Sequence, residues 1–354
     1  MSFVSTPTIT EPVSNPIGLR GIEFIEITVA DEQQIAPILR SFGFSRESVR
    51  ASESVTLWRQ NDIRILVTTS ATGFPAEFRR VHGPGICGMG WRVDNPSRAL
   101  VEAARRGAQP WLGSASDTSI AAPTLVGVGG SLIYLVHRDG DRCDTWKAFQ
   151  PTHEEPATGL GFLTIDHLTN NVHKGTLQHW ANFYRHVFGF TEVRQFDIRG
   201  EKTGLYSVAL RSPDGSFCIP INEGTETTSQ IEEYLREYNG PGIQHVAFLA
   251  DDLVHALSSM KKSVVAFLDI DQEYYDSVFD RVLGVTEDHN KIRDLQILVD
   301  GDEDGYLLQI FTKNLLGPVF IELIQRRNHL SFGEGNFGAL FRSIEREQQK
   351  RGVL

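Results

Sequence analysis

Three side chains of metal-ligand type lie inside apolar, strand-like segments of the second half of the chain: His167, His245 and Glu322. A histidine in such a segment is more often a core residue than a ligand. A buried unpaired carboxylate, however, costs on the order of several kcal/mol, so Glu322 needs a partner such as a cation. Two imidazoles and one carboxylate are the ligands of the non-haem iron facial triad, which leaves coordination positions open for substrate and O2. Zinc accepts the same ligands and is the alternative metal, although no HExxH or CxxC pattern favours it.

The sequence contains an internal repeat. The clearest matched pair is HGPGICGMGWRVD and NGPGIQHVAFLAD, which share a GPGI start, alternating apolar positions and a final Asp. Chance similarity between strands is the alternative for each pair alone, but three pairs follow one another in the same order. That order indicates a duplicated module. The matched segments are 21–31 with 162–172, 82–94 with 239–251, and 129–138 with 317–326.

The repeat places the candidate ligands in one copy only. His245 is matched by Gly88 and Glu322 by Tyr134, whereas His167 aligns with Glu26 or a neighbouring residue. None of these alignments gives the first copy an equivalent set of two histidines and a carboxylate. We therefore predict one working site in the second half and a structural copy in the first half.

The order of patterns within each half predicts an α+β fold of two domains. Each half reads as a strand, a helix and then several strands. In the second half, apolar residues at helical spacing predict a helix over 175–188, which Gly189 ends. The predicted parts are a flexible arm at 1–17, a structural domain at 18–150, a linker at 151–160 and a catalytic domain at 161–354.

The composition excludes several classes of protein. The chain has 354 residues and a formal net charge of −11, which opposes a large interface with nucleic acid. It contains no apolar run long enough to span a bilayer, and its start lacks the features of a signal peptide. Cys87, Cys143 and Cys218 are odd in number and far apart, which fits a reducing compartment. We therefore expect a cytoplasmic enzyme of small molecules that binds neither nucleic acid nor membrane.

Several strings around the candidate ligands resemble the 4-hydroxyphenylpyruvate dioxygenase family. They are IDHLTNNV, GIQHVAFLADD, LLQIFTK, GPVFIELIQRR and FGEGNFGALFRSIEREQ. The resemblance runs along nearly the whole chain, and GAQP and GVGGSLIYLV in the looser first half are similar to the bacterial members. It implies a vicinal oxygen chelate fold, in which paired βαβββ modules form two tandem domains. It also implies Fe(II) at His167, His245 and Glu322, and conversion of 4-hydroxyphenylpyruvate and O2 to homogentisate and CO2 in tyrosine catabolism.

The resemblance also implies a set of substrate-pocket residues. Without the resemblance, the glutamines of this set would be interpreted as side chains on strand surfaces, and its phenylalanines as core residues. Asn222, Gln244, Gln309 and Phe337 are expected to serve the reaction most directly. The full set of expected contacts is Ser207, Asn222, Gln230, Gln244, Gln309, Phe311, Phe332, Asn336 and Phe337.

A C-terminal helix is predicted over about 336–351. Its apolar residues recur at i, i+3, i+4 and i+7 from Phe337, and Asn336 is expected to cap it. The helix is interpreted as a lid over the site, and the alternative is a docking helix that only stabilises the domain. The segment 263–295 lacks the proline-rich run that often precedes its paired tyrosines in the family, so no role is assigned to it.

Other functions of the same fold remain as alternatives. A 4-hydroxymandelate synthase uses the same substrate and iron but hydroxylates the benzylic carbon. Such relatives depart from the PINE string and the NF pair, whereas this chain keeps Pro220, Asn222 and Phe337. A non-catalytic binding or resistance protein would have lost ligands in both halves, and an extradiol catechol dioxygenase fits the full-length resemblance less well. A homo-oligomer, either a dimer or a tetramer, is expected.

Overall fold

The computed structural model describes residues 14–50, 54–140, 142–260 and 263–354. Most of the predicted arm at 1–17 falls outside these residues. In chain order, the strands of the first half are β1 (Leu19–Thr28), β2 (Ser45–Arg50), β3 (Val55–Gln60), β4 (Ile63–Thr68), β5 (Gly85–Val93), β6 (Thr124–Val126), β7 (Leu132–Val136), β8 (Arg138–Asp139), β9 (Arg142–Cys143) and β10 (Phe149–Pro151). Its helices are α1 (Ala36–Ser41), α2 (Gly73–His82) and α3 (Pro96–Arg105).

The second half contains the strands and helices that carry the candidate ligands. Its strands are β11 (Phe162–Val172), β12 (Thr191–Arg199), β13 (Gly204–Arg211), β14 (Cys218–Gly224), β15 (Gly242–Ala250), β16 (Leu298–Gly301), β17 (Tyr306–Phe311) and β18 (Phe320–Arg327). Its helices are α4 (Leu177–Phe188), α5 (Gln230–Glu237), α6 (Leu253–Ser259), α7 (Val278–Arg281), α8 (His289–Asp294) and α9 (Phe337–Lys350).

Each half builds one mixed sheet of eight strands. The order in the first sheet is β10-β2-β3-β4-β1-β5-β7-β6, and in the second it is β12-β13-β14-β11-β15-β18-β17-β16. In both sheets the two central strands are antiparallel, and each of them has a parallel partner on its other side. The two modules of a half therefore meet at β1–β5 in the first sheet and at β11–β15 in the second.

The expected α+β fold of repeated βαβββ modules is confirmed. Three modules are complete: β1 with α1 and β2–β4, β11 with α4 and β12–β14, and β15 with α6 and β16–β18. In the module that starts at β5, only β6 and β7 join the sheet beside it among the described residues. The shortened module belongs to the half without candidate ligands.

Aromatic side chains from both halves share one core. Trp91 of β5 is fully buried, and its ring lies 4.8 Å from that of Phe188 at the end of α4. Phe248 of β15 lies 5.6 Å from Phe44, which follows α1. Burial of such rings contributes about 1.5–3 kcal/mol each, so the first half stabilises the half that carries the candidate site.

The helix predicted over 175–188 begins two residues later, at Leu177. Its last residue is Phe188, and Gly189 follows with φ 81° and ψ 21° in the left-handed region. A Cβ at position 189 would overlap the carbonyl group of Ser14, so glycine is required there for space as well as for conformation. Helix α4 covers the module that supplies His167.

Candidate metal centre and substrate cavity

The three candidate ligands lie on neighbouring strands and on one face of the second sheet. Ala247 of β15 is opposite His167 of β11 and also opposite Glu322 of β18. Directly paired residues project to the same face of a sheet, and so do residues two apart along a strand. His245 is two residues from Ala247, so its side chain lies on the same face as those of His167 and Glu322. All three side chains are buried. Strand register thus brings together residues that are far apart in sequence.

The distances within this group suit a metal ion. Glu322 Oε2 lies 3.0 Å from His167 Nε2 and 3.5 Å from His245 Nε2. One ligand atom from each residue lies within 4.8 Å of the others, and this is the one such group of three or more ligands among the residues that the structure describes. The donors are two imidazoles and a carboxylate at the edge of a cavity, so the group could hold a metal with open coordination positions.

The charges of the group also favour a cation. Burial opposes ionisation of Glu322, but the two histidines outweigh it and lower the pKa of Glu322 to about 2. Burial lowers the pKa of His167, whereas Glu322 and Asp166 raise it, and the net pKa rises to about 9. The pKa of His245 is lowered, chiefly by burial. Because the pKa of His167 is raised, a metal ion that binds at this imidazole must compete with a proton.

A carboxylate and a guanidinium orient His167 from behind. Nδ1 of His167 lies 2.8 Å from Asp166 Oδ2 and donates to it, which leaves Nε2 as the atom that could bind a metal. Arg326 donates to both oxygens of Asp166, at 2.8 and 2.9 Å. The same guanidinium donates to the carbonyls of His329 and Ser331. Through Asp166, one arginine thus connects the candidate ligand His167 to the loop that precedes α9.

His245 is oriented by different contacts. Its ring stacks on Phe320, with centroids 4.6 Å apart and planes at 18°. Its Nδ1 lies 3.3 Å from Gln244 Oε1, and its Nε2 lies 3.0 Å from the hydroxyl of Thr169. Sequence reasoning did not select Phe320, Thr169, Asp166 or Arg326. The only local signal was the position of each beside a ligand or within a ligand-bearing strand.

We expect Arg326→Lys to weaken metal binding about 10-fold or more, because outer-shell partners of ligating histidines typically contribute that much. Lysine keeps the charge but cannot hold both oxygens of Asp166 and two carbonyls at once. The measurement is anaerobic titration with Fe(II) by calorimetry. Arg327→Lys is the matched control, because Arg327 is largely exposed and donates to the carbonyl of Asp251. Equal affinities in the two variants would contradict this role.

A cavity of about 340 Å³ extends from the three ligands to the protein surface. It has the size of a site for one aromatic ring with a short acid chain. Eight of the nine expected substrate contacts line it. They are Ser207, Asn222, Gln230, Gln244, Gln309, Phe311, Phe332 and Phe337.

The cavity wall combines amides with aromatic rings. Ser207 and Asn222 are directly paired on β13 and β14, so both face the cavity. Phe332 lies 5.9 Å from the ring of His167, and Phe337 lies 5.3 Å from that of Phe196, both edge to face. Phe196 also lines the cavity and was not selected from the sequence.

Asn336 does not line the cavity, in contrast to the expected contact. It is fully buried, its Nδ2 lies 3.5 Å from Gln309 Oε1, and its Oδ1 accepts a hydrogen bond from Tyr274. The expectation that its side chain caps the last helix is also wrong, because it makes no capping hydrogen bond. The hydroxyl of Tyr274, which is 62 residues away in sequence, donates to the Asn336 carbonyl group instead.

Helix α9 lies over the cavity. The four apolar residues predicted to form its buried face all line the cavity: Phe337, Leu340, Phe341 and Ile344. Glu345 anchors the helix, because its Oε1 accepts from the backbone of Lys202 and Thr203. Arg351 pairs with Glu233 of α5 at the other end.

The first half fills the corresponding position with side chains. Strand register makes Phe24 the counterpart of His167, since it pairs with Gly90 as His167 pairs with Ala247. Glu26, one of the counterparts proposed from sequence, instead corresponds to Thr169. Tyr134 donates to Glu26 Oε2 at 2.8 Å, and burial raises the pKa of Glu26.

Glycines make room for these rings. A Cβ at Gly90 would overlap the ring of Phe24, and one at Gly88 would lie 3.0 Å from the ring of Tyr134. Phe24 and Tyr134 are fully buried, and their centroids are 5.6 Å apart. The corresponding position in the first half is therefore filled by side chains, and the part of this half that the structure describes contains no equivalent set of ligands.

We expect Gly90→Ala to reduce the free energy of unfolding by about 1–3 kcal/mol, the usual cost of overpacking. Metal affinity of the folded variant should not change, because the second half holds all three ligands. Urea denaturation and metal titration measure the two effects. Gly284→Ala is the control, since a Cβ there meets no atom within 4 Å. Equal stabilities of the two variants would contradict the packing account.

Comparisons with known proteins agree with this geometry. The family model described as "Hydroxyphenylpyruvate dioxygenase, HPPD, N-terminal" matches residues 13–149. The model described as "Glyoxalase/Bleomycin resistance protein/Dioxygenase superfamily" matches residues 164–310. The first model thus spans the first sheet except for most of β10, and the second model spans most of the second sheet but ends before β18.

Curated and solved relatives cover nearly the whole chain. Protein MelA of Shewanella colwelliana is 52% identical over 343 residues, which are 96% of this chain and 99% of MelA. The 4-hydroxyphenylpyruvate dioxygenase of Pseudomonas aeruginosa is 43% identical over 347 residues, 96% of this chain and 97% of the relative. A mutant 4-hydroxymandelate synthase from Streptomyces coelicolor has a TM-score of 0.78 at 27% identity, over 93% of this chain and 99% of that one.

Two further findings bear on the class of protein. No helix within the described ranges is long and apolar enough to cross a membrane. The buried group of two histidines and a glutamate fits the metal dependence expected of such dioxygenases. The full-length similarity, the two family models and the shared fold together show that this chain belongs to the 4-hydroxyphenylpyruvate dioxygenase family.

Proposed function

We propose that the chain is an Fe(II)-dependent dioxygenase that converts 4-hydroxyphenylpyruvate and O2 to homogentisate and CO2 in tyrosine catabolism. The observation that carries the proposal is the buried group of His167, His245 and Glu322 at the edge of a cavity lined by amides and aromatic rings. Relatives named 4-hydroxyphenylpyruvate dioxygenase at about 40% identity support it. A dimer or tetramer in the cytoplasm remains an expectation.

Iron is the proposed metal because its chemistry suits this ligand set. Held by His167, His245 and Glu322, Fe(II) would chelate the two oxygens of a 2-oxo acid and activate O2. The substrate supplies its own 2-oxo acid group, so no external 2-oxoglutarate is proposed. Zinc, the alternative, fits the same ligands but does not react with O2 in this way.

The side chains of the cavity have three proposed tasks. Gln244, Gln309 and Asn222 hold the polar groups of the substrate by hydrogen bonds. Phe311, Phe332 and Phe337, which line the cavity, surround its ring. Helix α9 limits access of water while the reactive oxygen is present. Together, these contacts would hold the substrate ring next to the open coordination positions of the metal.

The proposed reaction balances with one O2. The carboxylate of the 2-oxo acid leaves as CO2, and the keto carbon becomes the carboxyl group of an acetate chain. The ring gains a hydroxyl group, and the acetate chain migrates to the neighbouring ring carbon. One oxygen atom of O2 enters the acetate and the other enters the ring.

The test is product identification after anaerobic loading with Fe(II). We expect chromatography to find homogentisate as the main product, with equimolar O2 uptake and CO2 release. Protein loaded with Zn(II) should form no product. An absence of turnover in fully Fe(II)-loaded protein would contradict the proposal.

A second candidate is 4-hydroxymandelate synthesis, which the structural similarity to a mutant of that synthase favours. It would need the same substrate, metal and O2 but would leave the ring unchanged. Pro220, Asn222 and Phe337 line the cavity of this chain, and the family resemblance associates them with ring hydroxylation. Recovery of 4-hydroxymandelate as the main product in the same experiment would select this second candidate.

A further inference from the structure

Gln309 turns one end of its amide away from the substrate cavity. The residue lies on β17 and is 1% exposed. Its Oε1 lies 3.5 Å from Asn336 Nδ2, and a Cβ at Gly333 would overlap this oxygen. Its Nε2 has no acceptor among the described residues and is the end left for a ligand in the cavity.

The amide of Asn336 is itself oriented by donors behind it. Tyr274 donates to Asn336 Oδ1 at 2.6 Å, and Arg281 Nη2 lies 3.5 Å from the same atom. A guanidinium only donates, so the end of Asn336 that faces it must be the carbonyl. The NH2 group of Asn336 then faces Gln309.

The phenol proton of Tyr274 has two acceptors within reach, of which Asn336 Oδ1, at 2.6 Å, is nearer than the Val299 carbonyl, at 2.8 Å. The phenol oxygen accepts from the backbone N–H of Val299 at 2.8 Å, so the hydroxyl is held in place. The Val299 carbonyl shares its acceptor capacity with Arg281, which donates to it at 2.9 Å. Asn336 Oδ1 is the nearer acceptor. Donors and acceptors therefore alternate from Tyr274 through Asn336 to Gln309.

We propose that Tyr274 is a positioning residue that makes Gln309 present an N–H donor to the cavity. The cavity then selects a ligand with a hydrogen-bond acceptor at this point, such as a carboxylate, keto or phenol oxygen. The identity of the ligand rests on the proposed function, whereas the orientation rests on the contacts of Tyr274, Asn336 and Gln309. Tyr274 itself does not line the cavity.

The segment 263–295, to which the sequence assigned no role, contains Tyr274. Tyr274 lies in the 3₁₀ turn Gln272–Asp276, between α6 and α7. Its hydroxyl joins that turn to Asn336, the residue immediately before α9. The start of the helix over the cavity and the polarity of the cavity wall thus depend on the same hydrogen bond.

The test compares two neighbouring tyrosines. Tyr274→Phe removes the hydroxyl but keeps the ring, which packs edge to face on Tyr275 at 4.9 Å. Tyr275→Phe is the matched control, because the Tyr275 hydroxyl is buried without a hydrogen-bond partner in the described part of the chain. Both proteins are loaded with Fe(II), titrated anaerobically with 4-hydroxyphenylpyruvate, and assayed for KM and kcat.

We expect Tyr274→Phe to weaken binding and raise KM about 10-fold, as loss of one well-oriented hydrogen bond does. The kcat and the affinity for Fe(II) should change much less, because the hydroxyl touches neither the metal ligands nor the substrate. Asn336→Asp should have a similar effect, since a carboxylate would attract the Gln309 NH2 group and turn its carbonyl toward the cavity. Adding Tyr274→Phe to Asn336→Asp should then cause little further loss.

Binding and turnover separate the possible failures. If the wild type binds 4-hydroxyphenylpyruvate and Tyr274→Phe matches Tyr275→Phe within twofold, the positioning role is wrong whatever the product is. If the wild type binds but does not turn over, and Tyr274→Phe still binds 10-fold more weakly, the positioning role stands and the proposed reaction fails. A wild type that does not bind the compound would overturn both.

Discussion

His245→Ala is expected to abolish metal binding at micromolar metal and to reduce turnover by at least about 100-fold. The expected loss exceeds the roughly 10–100-fold effect of losing an outer-shell partner, because one of three direct ligands is removed. His245 also faces Glu322, so its loss leaves a buried carboxylate with one fewer partner. Iron content after anaerobic loading and the rate of O2 uptake are the measurements.

The control for this variant is His255→Ala on α6, where the side chain is exposed. It removes an imidazole from the same half without touching the candidate centre. Near wild-type iron content and turnover in His245→Ala would contradict the assignment of the metal ligands. A loss of similar size in His255→Ala would show that the effect is not specific to the site.

Phe337→Ala is expected to raise KM about 10-fold or more, or to uncouple decarboxylation from ring hydroxylation, with the fold intact. Loss of a ring contact and of apolar burial on this scale corresponds to about 1.5–3 kcal/mol. Phe337 is half-buried, lines the cavity and packs on Phe196. Steady-state kinetics with simultaneous measurement of CO2 and homogentisate test the prediction.

The point substitution is more informative than removal of the helix. Deleting residues 336–354 spares every candidate ligand, but it also removes Glu345 and the hydrogen bonds that Thr203 donates to it. Leu330→Ala, a change at an exposed leucine in the preceding loop, is the control for Phe337→Ala. If Phe337→Ala turns over the substrate as the wild type does, Phe337 only docks the helix.

Much of the fold was predictable because its signals are local. Strand alternation and the repeat predicted the α+β modules, and the helical spacing from Phe337 predicted α9 to within one residue at each end. The wider spacing of the last repeat pair has a structural cause. Helices α7 and α8 are inserted between α6 and β16, in the segment 263–295.

The ligand set was predictable for a different reason. Each ligand lies within an apolar strand, and the duplicated copy shows what that strand contains without a site. The exact counterpart of His167 was not predictable, because bulges near the centre of β1 and β11 decide the register. Only the observed pairing of the strands identifies Phe24, rather than Glu26, as the counterpart of His167.

The contacts behind the site could not be read from the sequence. Asp166 and Arg326 are 160 residues apart and meet only when the second sheet has formed. The link from Tyr274 to Asn336 spans 62 residues and depends on a short turn without a periodic pattern. The prediction of Asn336 as a cap failed because local helix rules do not include such distant donors.

In the proposed reaction, the 2-oxo acid of the substrate itself is used to activate O2 and hydroxylate the ring. The most direct measurement is mass spectrometry of the product formed by Fe(II)-loaded protein from 4-hydroxyphenylpyruvate under ¹⁸O2. We expect homogentisate that carries one labelled atom in the new ring hydroxyl and one in the acetate carboxylate. An unlabelled ring, with the label in a benzylic hydroxyl or with no oxygenated product at all, would contradict it.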